Sequence, residues 1–226
     1  MIEKVIKKCR ICYSSHISLV LDLGTQPPAN RLHNNKNFQK KFNLKLLICD
    51  KCRTLQISNS LDPKFLFKKY LWVTGTSKAA QIHANKFFKL TSKYLKKNST
   101  ILEIASNDGT FLYPFQKKNY KVLGVDPAKN IADIANSNNI KTLPDFFSYR
   151  LSNNIKKKYK NISLIFARNV IPHVKNIHSV VKGISNLSNK NTTVAIEFHY
   201  SKYILDELQY DSIYHEHIFY FSIKTL

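Results

Sequence analysis

The sequence is poor in acidic residues and has no long apolar stretch. Only 14 Asp and Glu residues stand against 36 Lys and Arg residues, so the formal net charge is +22. No apolar run approaches the roughly 20 residues that span a bilayer. The first residues, MIEKVIKKCR, also lack the apolar segment of an export signal. We therefore expect a globular cytoplasmic protein with no membrane partner.

The excess of positive charge by itself suggests nucleic acid or another anionic partner. Most of the basic residues are lysines, and lysine shares AT-rich codons with the abundant asparagine and isoleucine, so base composition accounts for much of the charge. The lysines are also spread along the chain instead of forming one block. Nucleic-acid binding therefore stays a secondary hypothesis, whereas a basic surface would help to attract a diphosphate-bearing substrate.

Cysteine is scarce too, and its four residues form two close pairs, Cys9-x-x-Cys12 and Cys49-x-x-Cys52. In a reducing compartment such pairs are metal ligands more often than disulfides. Two intervening residues let both thiolates of a turn face one tetrahedral Zn²⁺ ion, and four thiolates leave no open position for water. The pattern predicts a structural zinc site, with free core thiols or an iron site as the alternatives.

The chain divides into three regions by its residue pattern. Residues 1–60 are turn-rich, carry the cysteines and predict a small zinc-binding module. Residues 61–98 predict linking helices, because Ser77 opens a run of apolar residues at helical spacing. Residues 99–226 predict the main domain.

In the main domain, short apolar strands alternate with helical segments. The predicted strands are 101–105, 122–126, 140–143, 162–167 and 193–198. Strands that alternate with helices imply an α/β fold, in which a Rossmann-like parallel sheet is covered on both faces.

A candidate cofactor turn follows the first of these strands and reads Glu103-Ile-Ala-Ser-Asn-Asp-Gly109, and the second strand ends in Asp126. In doubly wound sheets the ligand lies across the carboxyl ends of the strands, and an acid there binds ribose hydroxyls. The turn lacks G-x-G-x-x-G, which disfavours a nicotinamide cofactor. The acids Glu103, Asp108 and Asp126 instead suit S-adenosylmethionine, which carries an amino group, a sulfonium and a ribose. A loop acid that only caps a helix is the alternative.

Three motifs in one order carry a family resemblance. They are the cysteine module with DLGTQPPAN at residues 22–30, the E-x-x-S-N-D-G turn, and QYDSIYHEH at residues 209–217 followed by Tyr220-Phe-Ser. Together they resemble the zinc-containing sugar C-methyltransferases, which methylate a carbon of nucleotide-bound keto-deoxysugars. The resemblance covers nearly the whole chain and implies a class I methyltransferase fold with a nucleotide-sugar substrate.

The resemblance also implies where the cofactor lies. Ala105 stands where many class I methyltransferases have glycine. The implied cofactor residues are Ser106, Asn107, Asp108 and Gly109 in the turn, Asp126 at the ribose, and Phe146 and Asn169 in the segments that line the pocket, beside the Glu103 already singled out.

Methyl transfer to carbon requires removal of a proton next to a ketone and stabilisation of the enolate. A histidine with a pKa near 6.5 is a natural base at neutral pH. The resemblance implies that His217 is this base, and that Glu216 and Tyr214 orient it or donate to the developing oxyanion. A metal bound by His215, His217 and His199 is an alternative.

The sequence departs from the family at a Y-x-Y pair, where it reads Tyr70-Leu-Trp72. Indole can neither act as an acid nor accept a proton, so the role of the second family tyrosine is missing or falls to Tyr70. An oxygen or nitrogen acceptor therefore stays an alternative to carbon.

Family members also continue beyond the Y-F-S motif, whereas this chain stops at Leu226. We expect the sheet to lack its last strands, and we expect a missing C-terminal domain or a partner chain to complete the enzyme. The 226 residues alone are then expected to be poorly active. A zinc-ribbon nucleic-acid-binding protein with an inactive Rossmann-like scaffold is the non-enzymatic alternative.

Overall fold

The computed structural model describes residues 5–30 and 40–226. The chain forms two compact units. The cysteine unit comprises residues 1–66, 171–175 and 198–226, and the parallel-sheet unit comprises residues 67–170 and 176–197. The predicted division into three regions, with boundaries at residues 60 and 98, stays a prediction. The two compact units are defined by contacts in space, and each contains more than one segment of the chain.

The parallel-sheet unit is built on five strands in the order β6-β5-β4-β7-β8. All neighbouring pairs are parallel. The strands are β4 (Thr100–Ile104), β5 (Lys121–Val125), β6 (Thr142–Leu143), β7 (Ile162–Arg168) and β8 (Thr193–Glu197). The predicted α/β fold with a Rossmann-like sheet is confirmed, and the carboxyl ends of these strands meet at one edge.

Helices enclose this sheet. They are α2 (Lys78–Thr91), α3 (Tyr113–Gln116), α4 (Lys129–Ser137), α5 (Tyr149–Lys158) and α6 (Ile177–Leu187). Helix α2 begins where the sequence predicted, because the Ser77 side chain accepts a hydrogen bond from the Ala80 N–H at 3.3 Å. Every residue of β4 is buried, as expected for a strand covered on both faces.

Aromatic side chains fill the core between α2 and the sheet. The Phe87 and Phe166 rings lie 4.9 Å apart, and Phe88 meets Phe115 edge-to-face at 5.0 Å. Phe115 and Phe166 are completely buried. Removal of one such ring typically costs about 3–5 kcal/mol of stability.

The cysteine unit contains an antiparallel sheet in the order β1-β2-β3-β9. Its strands are β1 (Ile17–Gln26), β2 (Phe42–Cys49), β3 (Leu55–Ile57) and β9 (Phe219–Tyr220), and its short helices are α1 (Pro63–Phe67) and α7 (Ser201–Asp206). The chain returns here after β8, and β9 completes the sheet. Among the described residues, no helix is both long and apolar enough to cross a bilayer.

The turn after β4 contains a backbone feature that bears on stability. Ala105 has φ +56°, a left-handed conformation that costs an L-residue about 1–2 kcal/mol. Asn107 and Gly109 also have positive φ, at +49° and +81°. These two residue types tolerate the conformation, and alanine does not.

We predict that Ala105→Gly raises the free energy of unfolding by about 0.5–1 kcal/mol, since relief of backbone strain outweighs the added chain entropy of glycine. Thermal and urea unfolding measure the change. The matched control Ala132→Gly, in the buried interior of helix α4, should lose about 1 kcal/mol or more. A destabilised Ala105→Gly protein would contradict the strain argument.

Candidate functional site

The four cysteines converge on one point. The Cys9 and Cys52 sulfurs lie 3.6 Å apart, the Cys12 and Cys49 sulfurs lie 3.5 Å apart, and all four lie within 4.8 Å of one another. Four thiolates placed about 2.3 Å from a tetrahedral Zn²⁺ would be about 3.8 Å apart, so the cluster fits the ion.

The two cysteine pairs sit on turns of the same kind. The Tyr13 N–H donates to the Cys9 carbonyl at 3.0 Å, and the Arg53 N–H donates to the Cys49 carbonyl at 2.8 Å. Tyr13 and Arg53 both have φ +61°. Each turn therefore closes four residues after its first cysteine, which directs both of its thiols to the same side.

Hydrogen bonds also favour the thiolate form of Cys49. Burial alone would raise the pKa of its thiol, but backbone N–H groups of Cys52 and Lys51 outweigh burial and lower the pKa to about 7. Burial raises the pKa of Cys9, which is fully enclosed. A bound cation would favour the thiolate at both positions. Within the described part of the chain, these cysteines are the one cluster of three or more potential metal ligands.

The predicted cofactor turn is held against the end of β5 by Asp126. Its Oδ2 accepts the Asn107 N–H at 2.8 Å, and its Oδ1 accepts the Ala128 N–H at 2.9 Å. Burial raises the pKa of Asp126, and these two hydrogen bonds oppose that effect. Each carboxylate oxygen keeps a further lone pair, as a ribose diol requires.

Two other predicted cofactor residues turn their side chains toward the preceding chain segment. Asn107 Oδ1 accepts the Thr74 N–H, and Asp108 Oδ2 accepts the Gly75 N–H, both at 2.8 Å. A Cβ on Gly75 would lie 2.5 Å from Asp108 Oδ2, so this close approach requires glycine. The sequence reasoning missed Gly75, although glycine is rare in this chain.

Buried polar atoms without partners lie beside this turn. Among the described residues, Glu103 Oε2 and Ser106 Oγ have no hydrogen-bond partner. Burial raises the pKa of Glu103 well above its ordinary value, and the Arg168 guanidinium opposes this rise. Unpaired buried polar atoms each cost about 1–3 kcal/mol. A ligand with an amino group and hydroxyls would satisfy them, so the residues fit S-adenosylmethionine.

Charged side chains at the carboxyl ends of β7 and β8 form a network that the sequence reasoning did not assemble. Arg168 Nε lies 3.4 Å from Glu197 Oε1, and Arg168 Nη1 lies 3.8 Å from Glu103 Oε1. The His83 Nε2 lies 2.7 Å from Glu197 Oε2. The predicted cofactor residue Asn169 joins them, since its N–H donates to the Glu197 carbonyl at 2.8 Å.

The other predicted residues of the parallel-sheet unit lie near its strand ends or on the segment before α2. Phe146 is half-buried after β6, whereas its neighbour Phe147 is buried. Tyr70 exchanges backbone hydrogen bonds with the Asn130 side chain, at 2.8 and 3.3 Å. Trp72 is 55% exposed.

The H-E-H segment lies in the cysteine unit, where its three side chains have different surroundings. His217 Nδ1 lies 2.9 Å from the Ser212 carbonyl, and His217 Nε2 lies 3.0 Å from the Tyr214 hydroxyl. Donation from Nδ1–H to the carbonyl leaves Nε2 as the basic nitrogen. Burial lowers the pKa of His217. His173 packs edge-on against it, with ring centroids 4.7 Å apart.

His215 and Glu216 are buried. His215 Nε2 donates to the Phe42 carbonyl at 3.2 Å, and Glu216 Oε1 accepts from Asn30 Nδ2 at 2.8 Å. His199 instead pairs with Gln209 at 3.1 Å. The structure does not bring the three histidines together as metal ligands.

A cavity of about 290 Å³ opens beside Tyr214 in the cysteine unit. Its lining residues come from β1 and the residue after it, from β2, and from the segment before the H-E-H motif: Leu23, Gln26, Pro27, Leu44, Tyr210, Ile213 and Tyr214. The wall is mainly apolar, with one amide and two tyrosines as polar groups.

Comparison with known families assigns both regions. Residues 9–67 match a family described as "Putative zinc binding domain", and residues 78–226 match a family described as "Methyltransferase domain". The second match covers more than half of the chain. The chain belongs to this methyltransferase family. The predictions of a zinc site and of S-adenosylmethionine as the cofactor are thereby confirmed.

A related protein and two solved structures were also found for this methyltransferase. C-methyltransferase NovU of Streptomyces niveus is 28% identical over 230 residues, which cover 100% of this chain and 55% of NovU. The chain thus spans about half the length of that relative.

The structure of the PH0226 protein from Pyrococcus horikoshii OT3 matches with a TM-score of 0.51 at 16% identity, covering 66% of this chain and 69% of that one. A SAM dependent methyltransferase from Archaeoglobus fulgidus has a TM-score of 0.49 at 13% identity, over 59% of this chain and 61% of that one. The first of these likenesses supports the fold.

We predict that Cys49→Ser removes zinc from the methyltransferase and destabilises the cysteine unit by about 3 kcal/mol or more, because three ligands hold the ion poorly. Metal analysis and thermal unfolding test this. Ser15→Ala, at an exposed position of the same module, should keep one zinc per chain. A Cys49→Ser protein with full zinc content and unchanged unfolding would contradict the site.

We predict that Asp126→Ala weakens S-adenosylmethionine binding by about 10- to 100-fold, because the turn loses its hydrogen bond from Asn107, the start of α4 loses that from Ala128, and the ribose loses its acceptor. Calorimetric titration measures the Kd. Asp133→Ala removes the same charge from an exposed position on α4 and should leave the Kd unchanged. Equal affinities in both variants would reject this placement of the ribose.

Proposed function

We propose that the protein transfers a methyl group from S-adenosylmethionine to the carbon beside the keto group of a nucleotide-bound keto-deoxysugar. The observation that carries this proposal is the pairing of the half-buried His217 with the Tyr214 hydroxyl at 3.0 Å. NovU is a C-methyltransferase, which supports carbon as the acceptor. Because the chain spans about half of NovU, the activity is proposed for the whole protein.

His217 can act as the base because its protonation is set by its neighbours. The Ser212 carbonyl accepts the Nδ1 proton, so the lone pair of Nε2 remains to remove the proton next to the ketone. The resulting imidazolium keeps its hydrogen bond to Ser212. The Tyr214 hydroxyl, 3.0 Å from Nε2, can shift its hydrogen bond to the enolate oxygen.

When bound, the cofactor supplies an electrophilic methyl group on a sulfonium. The turn after β4 and Asp126 would hold the cofactor, which would give this methyl to the sugar carbon and would leave as S-adenosylhomocysteine. The atoms and charges balance, because the proton resides on His217 until it passes to water.

The cavity beside Tyr214 supports a sugar acceptor. Its volume of about 290 Å³ lies near the lower limit for small-molecule sites. This size suits one sugar ring better than a complete nucleotide sugar. A deoxysugar exposes apolar carbon that could contact Leu23 and Ile213, and the Gln26 amide offers hydrogen bonds to its hydroxyls.

We predict that His217→Ala lowers kcat by about 100-fold or more, the usual contribution of a positioned base. In the wild type, activity should fall as the pH drops through the pKa of His217. Burial lowers that pKa, so the neutral base persists below pH 6.5, the ordinary value. The midpoint of the acid limb of kcat/KM should therefore lie below 6.5.

The assay measures S-adenosylhomocysteine release with nucleotide keto-sugars, and NMR of the product locates the methyl group. His16→Ala changes an exposed histidine and serves as the control. Retained turnover in His217→Ala would reject this residue as the base. A methyl on oxygen or nitrogen would reject the carbon acceptor.

A further inference from the structure

The segment DLGTQPPAN at residues 22–30 separates the two cysteine pairs. Its Leu23, Gln26 and Pro27 line the cavity beside Tyr214, whereas its last residues have no part in zinc binding or in that cavity. Its last residue, Asn30, makes a contact across 186 positions of sequence. The Asn30 Nδ2 donates to Glu216 Oε1 at 2.8 Å. This hydrogen bond joins residues 22–30 to the H-E-H segment within the cysteine unit.

We propose that Asn30 is a positioning residue for methyl transfer, which acts by holding the side chain of Glu216, the residue that immediately precedes the base His217. This inference rests on the proposed function. Asn30 is not among the residues that line the cavity, so it would give the segment at residues 22–30 a second role, separate from contact with the sugar.

The environment of Glu216 makes this contact important. Glu216 is only 2% exposed, so its carboxylate has lost most of its hydration. Its Oε2 has no hydrogen-bond partner within the described ranges. A buried carboxylate is costly unless donors replace the lost water. Burial raises the pKa of Glu216, and side-chain and backbone donation from Asn30 oppose this rise.

The position of Glu216 in the chain connects this contact to the base. Glu216 immediately precedes His217, whose N–H donates to the Tyr214 carbonyl at 3.1 Å. The backbone from which the imidazole projects is therefore tied at residue 214 and, through Asn30, at residue 216. Without Asn30, the Glu216 carboxylate loses this donor and residue 216 is held less firmly. The position of the His217 ring is then less well fixed. Misplacement of a catalytic group by about 1 Å can lower activity by about 100-fold, and a partial loss of this geometry is expected to cost less.

A double-mutant cycle on the full-length protein tests the proposal. Asn30→Ala should lower kcat about 10-fold while it changes the KM for the nucleotide sugar less than about 3-fold. Asn30→Asp should lose more, because a second carboxylate replaces the donor. When Asn30→Ala is added to Glu216→Ala, kcat should fall by less than a further factor of about 2, since the partner of Asn30 is already absent. Asn154→Ala, on the exposed face of α5, is the matched control and should match the wild type.

Multiplicative losses in the double variant would overturn the proposal, because Asn30 would then act independently of Glu216. A lower melting temperature with unchanged kcat would also overturn it, since Asn30 would then contribute only to stability. The wild type, the two single alanine variants and the double variant are also unfolded in urea. We expect their free energies of unfolding to show the same coupling between positions 30 and 216.

The unfolding data separate this proposal from the proposed function. Wild-type protein that binds S-adenosylmethionine but forms no product with nucleotide keto-sugars would overturn the assigned substrate. In that case, coupling between positions 30 and 216 in the free energy of unfolding would still support the contact between Asn30 and Glu216. Additive free energies of unfolding would overturn that contact without any measurement of activity.

Discussion

The carboxylate of Asp126 accepts hydrogen bonds from two backbone N–H groups, and the geometry of the candidate cofactor turn depends on this contact. The N–H of Asn107 belongs to the turn after β4, and the N–H of Ala128 belongs to the start of helix α4, which follows β5. One side chain thus holds two adjacent crossovers at the carboxyl edge of the sheet. The left-handed conformation of Ala105 is sustained by this contact and by the full burial of β4.

The cysteine unit connects metal binding to the proposed base by a path of direct contacts. Cys49 ends β2, and Cys52 lies in the turn that leads to β3. Strand β3 pairs with β9, which follows the H-E-H segment directly. The Ile57 N–H also donates to the Ile218 carbonyl at 3.0 Å. A zinc ion that fixes the turn between β2 and β3 therefore also supports the strand next to His217, although four thiolates exclude it from the chemistry.

Buried charge is distributed differently in the two units. In the parallel-sheet unit, Arg168 lies between Glu103 and Glu197, so one cation serves two acids. In the cysteine unit, Glu216 has neutral donors from Asn30 instead. A guanidinium holds acids in their charged form more strongly than an amide does. Burial nevertheless raises the pKa of both Glu103 and Glu216, so in each unit the donors offset only part of the lost hydration.

Short-range chemistry explains what the sequence alone determined. The spacing of the cysteines, the alternation of strands with helices, the Ser77 cap and the acid after β5 are local patterns, and each was readable because its physical cause lies within a few residues. The tertiary structure decided the rest: β9 pairs with β3, Gly75 approaches Asp108, Arg168 joins Glu103 to Glu197, and Asn30 reaches Glu216. These contacts join residues that are far apart in the chain. Their formation depends on the packing of whole elements, which no local pattern encodes.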